Sequence, residues 1–77
     1  FKGIYLKTLN LIAELYIEQN EWSKALDHSL KALKYAQDTN DILEEKYAAE
    51  NLSKIYKNQN RYKKALEMYE LFTAFLR

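Results

Sequence analysis

The sequence predicts an all-α fold, with four antiparallel helices forming two helix-turn-helix units. Three observations lead there. Leu15-Tyr16-Ile17-Glu18-Gln19-Asn20-Glu21-Trp22-Ser23-Lys24-Ala25-Leu26 aligns without a gap on Ile55-Tyr56-Lys57-Asn58-Gln59-Asn60-Arg61-Tyr62-Lys63-Lys64-Ala65-Leu66, 40 residues later. A fixed period of this length marks a helical repeat array, in which each unit buries its apolar face on its neighbours. The 77 residues hold no Pro and a single Gly, Gly3, which leaves few strong helix breakers. Apolar residues recur at the helical spacing i, i+3, i+4 through most of the chain.

The first helix is predicted from about Gly3 to Gln19, with Tyr5, Leu9, Ile12, Ala13, Tyr16 and Ile17 on one face. Asn20 follows where the chain must turn. Asn tolerates the left-handed conformation and also caps helix starts, so it can end one helix, begin the next, or do both. The second helix, about Glu21 to Thr39, carries Trp22, Ala25, Leu26, Ser29, Leu30, Ala32, Leu33 and Ala36. Asp38-Thr39-Asn40-Asp41 is the one polar turn cluster, and Asp41 followed by Glu44 reads as an acidic variant of a capping box. The third helix, about Ile42 to Asn58, presents Tyr47, Ala48, Leu52, Ile55 and Tyr56. Asn60 repeats the tight turn, and a fourth helix is expected from Arg61 to the end. Short turns place neighbouring helices antiparallel.

Small residues, Ala13, Ala25 and Ala32 in one unit with Ser53 and Ala65 in the other, sit on otherwise bulky faces. They let helix backbones approach closely, and Tyr16 and Tyr56 fill the adjoining space in equivalent, mostly buried places. The Tyr hydroxyls require polar partners or an edge position.

These residues resemble a tetratricopeptide repeat. Leu9, Ile12, Ala13, Tyr16, Asn20, Trp22, Ala25, Ser29 and Ala32 take the motif positions in the first unit. Ala49, Leu52, Ser53, Tyr56, Asn60, Tyr62, Ala65, Tyr69 and Phe72 take them in the second. The departures are Asn for the usual turn Gly, Ser29 for an aromatic, Phe72 for the last Ala, and no closing Pro. From Ala32 to Ala49 is 17 positions, about six more than a repeat of the usual ~34 residues allows. The long version is similar to repeats in bacterial signalling proteins and in eukaryotic adaptors. On this reading residues 1–40 and 41–77 are two repeats of one right-handed solenoid domain. The chain opens at Phe1 without an initiator Met and is expected to be a piece of a longer protein.

The resemblance implies a scaffold that binds a protein or peptide in a groove lined by the first helix of each repeat. By position those residues are Lys7, Asn10, Leu11, Glu14, Ile17 and Glu18, then Tyr47, Glu50, Asn51, Lys54, Lys57 and Asn58. One subtype of the family clamps a C-terminal carboxylate with Lys and Asn. Lys7 and Asn51 match two such positions, but Leu11 replaces the first Asn and a third repeat is missing, so a solvated face is the plainer reading. An alternative assigns the repeats to a regulatory or sensory segment of a bacterial signalling protein (a histidine kinase or transcriptional regulator), transmitting conformational change or mediating self-association. The setting implied is cytoplasmic, or periplasmic within a bacterial sensor.

Composition excludes several classes. Twelve basic residues against eleven acidic ones, a net charge of +1, give no pull toward nucleic acid or anionic membranes. No apolar run approaches the ~20 residues that span a bilayer. Zero Cys excludes disulfides and thiolate metal sites. His28 stands between Asp27 and Ser29, but consecutive helical residues point about 100° apart and cannot share a proton path. Glu44, Glu45 and Glu50 lack an Asp-rich loop or a His-x-x-x-His partner. Arg61, Lys63 and Lys64 are expected to pair with Glu67 and Glu70 along the helix surface. No catalytic, cofactor-binding or metal-binding residues are expected.

One further feature is the apolar end of the chain. Tyr69, Phe72, Phe75 and Leu76 fall at i, i+3, i+6 and i+7, a stripe too wide for one neighbouring helix. Phe1, Ile4 and Tyr5 pose the same problem at the opposite end. Terminal helices of a complete array turn a polar face outward. In a longer parent protein another helix is therefore expected to cover this stacking face, and in the isolated fragment a second copy is expected to do so by self-association.

Overall fold

The computed structural model describes residues 2–76; Phe1 lies outside the described residues. Four helices follow in order: α1 (Lys2–Glu18), α2 (Trp22–Thr39), α3 (Ile42–Asn58) and α4 (Tyr62–Ala74). The bounds match the sequence reading within two residues, except that α4 stops at Ala74 instead of running to the end. Consecutive helices pack against each other, and α3 also meets α1. The molecule measures 34 × 29 × 16 Å. Its short dimension suits two helix layers at the usual 8–10 Å separation.

The ends of α1, α2 and α3 are each set by an asparagine. Asn20, Asn40 and Asn60 are the non-glycine residues with positive φ, at 60°, 57° and 62° among the described residues. In each turn the following residue donates its N–H to a carbonyl five positions back. These bonds are Glu21 to Tyr16 at 2.8 Å, Asp41 to Ala36 at 2.9 Å and Arg61 to Tyr56 at 2.8 Å. This is the Schellman closure, which satisfies helix-end carbonyls and requires a left-handed residue. The asparagines therefore end helices and do not begin them. The N-caps of α2 and α4 are Glu21 and Arg61, neither with a side-chain cap bond. Asp41 does cap α3, accepting from the Glu44 N–H at 3.2 Å. Only half of the expected capping box forms, because the Glu44 side chain turns away toward α1.

The core is built from small residues. Ala13, Ala25, Ala32, Ala36, Ala48 and Ala49 are fully buried, with Leu6, Leu9, Leu52 and Ile55 filling the space between them. Leu6, Leu9, Ala32, Ala36 and Ala48 form one contiguous cluster where α1, α2 and α3 meet. Alanines on facing helices remove the bulk that would hold the backbones apart.

The two repeats are not buried alike. Tyr56 is 6% exposed whereas Tyr16 is half-buried. Ala25 is fully buried whereas Ala65 is partly open. The reason is position in the stack. Tyr56 lies on α3, which is covered by three helices, while Tyr16 lies on α1 at the margin. Ala25 lies on α2, which packs on both α1 and α3, whereas Ala65 lies on α4, which packs on α3 alone among the described helices. Local chemistry is nevertheless repeated: Lys24 Nζ lies 5.7 Å from the Tyr16 ring centre, and Lys64 Nζ 5.6 Å from that of Tyr56. Lys64 is thus drawn over an aromatic face and not into the expected pairing with Glu67 or Glu70. The ion pairs among the described residues are Glu21–Lys24, Asp27–Lys31 and Lys34–Asp38, all exposed and on or beside α2.

Candidate functional site

The residues read as a single groove divide between two surfaces and a buried seam. The first surface is a cleft of about 320 Å³ between α1 and α3, lined by Lys7, Asn10, Leu11, Glu14, Glu44 and Tyr47. Lys7, Leu11 and Glu14 come from successive turns of α1, and Tyr47 faces them from α3. The cleft offers a cation, an anion, an aliphatic side chain and an aromatic edge within a short span. Lys46 Nζ lies 5.1 Å from the Tyr47 ring centre and packs on the ring from the same helix.

Beneath the cleft runs the seam. The Asn10 amide donates to both the main-chain oxygen and the Oε1 of Glu44, each at 3.0 Å. The Asn51 amide reaches the Asn10 carbonyl at 3.5 Å. All three residues are buried. Asn10 and Asn51, expected to face a ligand, are therefore committed to holding α1 against α3. The carboxylate-clamp match fails here, since the Asn51 amide is spent inside the protein. The solvated-face reading fails for Asn51 as well. Glu44 has a part in this seam that the sequence did not reveal; its helix-start position suggested a cap or a cation contact instead.

The second surface lies where α3 meets α4. A cleft of about 430 Å³ between α3 and α4 is lined by Glu50, Ser53, Lys54, Lys57, Tyr62, Ala65, Leu66, Tyr69 and Phe72. Glu50, Lys54 and Lys57, expected beside Tyr47, belong to this cleft. Residues at i+3 and i+7 from Tyr47 share its side of α3, so helix spacing does not separate them from it; the side chains of Glu50, Lys54 and Lys57 border α4 instead of α1. Lys57 and Asn58 also border a shallow hollow with Trp22, Asn60 and Tyr62. Ile17 is half-buried and Glu18 exposed, and neither lines a cleft. Of the apolar stripe, Tyr69 and Phe72 line the α3–α4 cleft, their ring centres 6.3 Å apart. Phe75 is half-buried and Leu76 exposed.

His28 makes its contacts within the first repeat. Its Nδ1 lies 2.9 Å from the Lys24 carbonyl, and its ring packs on Tyr16 with centres 5.2 Å apart. Among the described residues no group of three or more His, Cys, Asp or Glu is placed to hold a metal ion. No described helix is long and apolar enough to cross a membrane.

The segment from Ala48 on α3 to Phe72 on α4 matches the family model for the tetratricopeptide repeat, over residues 48–72. No curated protein and no solved structure matches the chain.

Proposed function

With residues 48–72 established as a tetratricopeptide repeat, we propose that the chain is a protein-interaction scaffold whose α1–α3 cleft holds a segment of a partner protein. The carrying observation is that this cleft is open above and rigid below. Lys7, Leu11, Glu14 and Tyr47 are exposed at its mouth, while its floor is fixed by the buried Asn10–Glu44 bonds. A preformed cleft avoids part of the ordering cost of binding. Its mixed lining suits a short peptide with one apolar anchor flanked by charged side chains. Because both charges are present, steering is modest and affinity should depend weakly on salt.

The test is selection of peptides from a displayed random library on the 77-residue chain, followed by titration against Lys7→Ala, Glu14→Ala and Tyr47→Ala. Tyr47→Ala is expected to weaken a selected peptide about tenfold or more, as for a central aromatic contact. Selected peptides whose affinity is unchanged in all three variants would overturn the assignment of this cleft.

A further inference from the structure

The 40-residue repeat relates the α3–α4 cleft to a surface that is already occupied inside this protein. Shifting its lining back by one repeat turns Ser53, Ala65, Tyr69 and Phe72 into Ala13, Ala25, Ser29 and Ala32. All four of those earlier residues are fully buried, in the surface of α1 and α2 against which α3 packs. The second unit presents the same surface uncovered, with Tyr69 54% exposed.

The complementary face is also present and also uncovered. Toward α1 and α2, α3 presents the stripe Glu44, Ala48, Asn51 and Ile55, all buried. One repeat earlier these positions are Ile4, Thr8, Leu11 and Leu15 on α1. All four are exposed, Ile4 at 70% and Leu15 at 55%. They share one helix face at spacings of four, three and four. Three of the four are aliphatic, where a solitary surface helix would carry polar side chains.

We propose that the α3–α4 cleft receives the α1 face of a second copy of this chain, so that copies stack head to tail as α3 stacks on α1 and α2. Tyr69 and Phe72 stand where the first unit has Ser29 and Ala32, so the intermolecular contact is bulkier and its helices sit further apart. Leu11 and Leu15 supply the aliphatic surface that those rings cover. The Glu44–Asn10 contact, moved on by one repeat, sets Ile4 and Lys7 of the incoming copy beside Glu50. The contact joins two different surfaces, so nothing closes it at a dimer and growth is open-ended. It shares Lys7 and Leu11 with the peptide cleft, but Leu15 and Tyr69 lie outside that lining, so substitutions at those two positions report on stacking alone.

Sedimentation of the 77-residue chain with two variants, Leu15→Glu and Tyr69→Glu, tests this. Both side chains are exposed, so each variant should retain the helical circular dichroism of the parent. The parent is expected to gain mass steadily with concentration, past the dimer. Each variant by itself is expected to lose this and sediment as a monomer. In the first copy of a mixed pair the Leu15→Glu chain keeps an intact α3–α4 cleft, and the Tyr69→Glu chain keeps an intact α1 face. The mixture is therefore expected to form a 1:1 dimer and stop. A parent that stays monomeric into the millimolar range overturns the proposal and leaves the cleft to a helix of different sequence. A closed dimer that survives Leu15→Glu, or a mixture that remains monomeric, overturns it equally.

Discussion

Asn10 and Glu44 are 34 residues apart in the chain and share two hydrogen bonds of 3.0 Å, one to the Glu44 main chain and one to its carboxylate. Both are buried, and together they tie α1 to α3 directly beneath the proposed peptide cleft. A buried carboxylate is tolerated only when it is hydrogen-bonded. Asn10→Ala removes its donor and should cost about 2–3 kcal/mol, measured by urea unfolding. Glu44→Gln keeps a side-chain oxygen for Asn10 to reach and should cost clearly less. Equal losses in the two variants would show that the seam is packing and not hydrogen bonding.

The three left-handed asparagines give a second expectation. Asn20, Asn40 and Asn60 hold φ near 60°, a conformation that costs a residue with an ordinary Cβ roughly 1–2 kcal/mol. Asn60→Ala should therefore lower stability by about 1 kcal/mol, while Asn60→Gly should match or slightly exceed the parent. The Gly variant does give up the 2.8 Å bond from the Tyr62 hydroxyl to Asn60 Oδ1, but that bond is exposed and contributes little. Thermal unfolding of the pair checks this, and a Gly variant weaker than the Ala variant would contradict it.

Unequal burial of the two repeats gives a third. Tyr56→Ala should cost about 3 kcal/mol or more, as for other large-to-small core changes, and Tyr16→Ala less, because Tyr16 is less fully buried. The alanine pair should behave in the same sense. Ala25→Leu forces α2 from α3 and should cost about 1–3 kcal/mol, whereas Ala65→Leu points into the open α3–α4 cleft and should be nearly neutral. Denaturant unfolding of the four variants decides the matter; equal effects across either pair would mean that both repeats are covered alike.

The sequence by itself determined the number of helices, their approximate ends and their pairing. These follow from local rules: apolar spacing at the helical period, asparagines at the turns, Asp41 as an N-cap, and a repeat that forces the second half to fold like the first. It also marked Ala25, Ala32 and Leu52 as core, since a small or apolar residue on a regular face has few other uses. Only the tertiary structure decided what the polar residues of α1 and α3 do. Lys7 and Asn10 both belong to polar types three positions apart, yet Lys7 is exposed and Asn10 is buried on Glu44. That difference depends on which helix lies across α1, and the pattern of α1 does not contain it. The same holds for Glu50, Lys54 and Lys57, whose membership of the α3–α4 cleft depends on how far α3 is rotated against α1. Tyr16 and Tyr56 make the point from the other direction: identical residues in identical motifs differ in burial, because burial is set by the number of helices packed around a position.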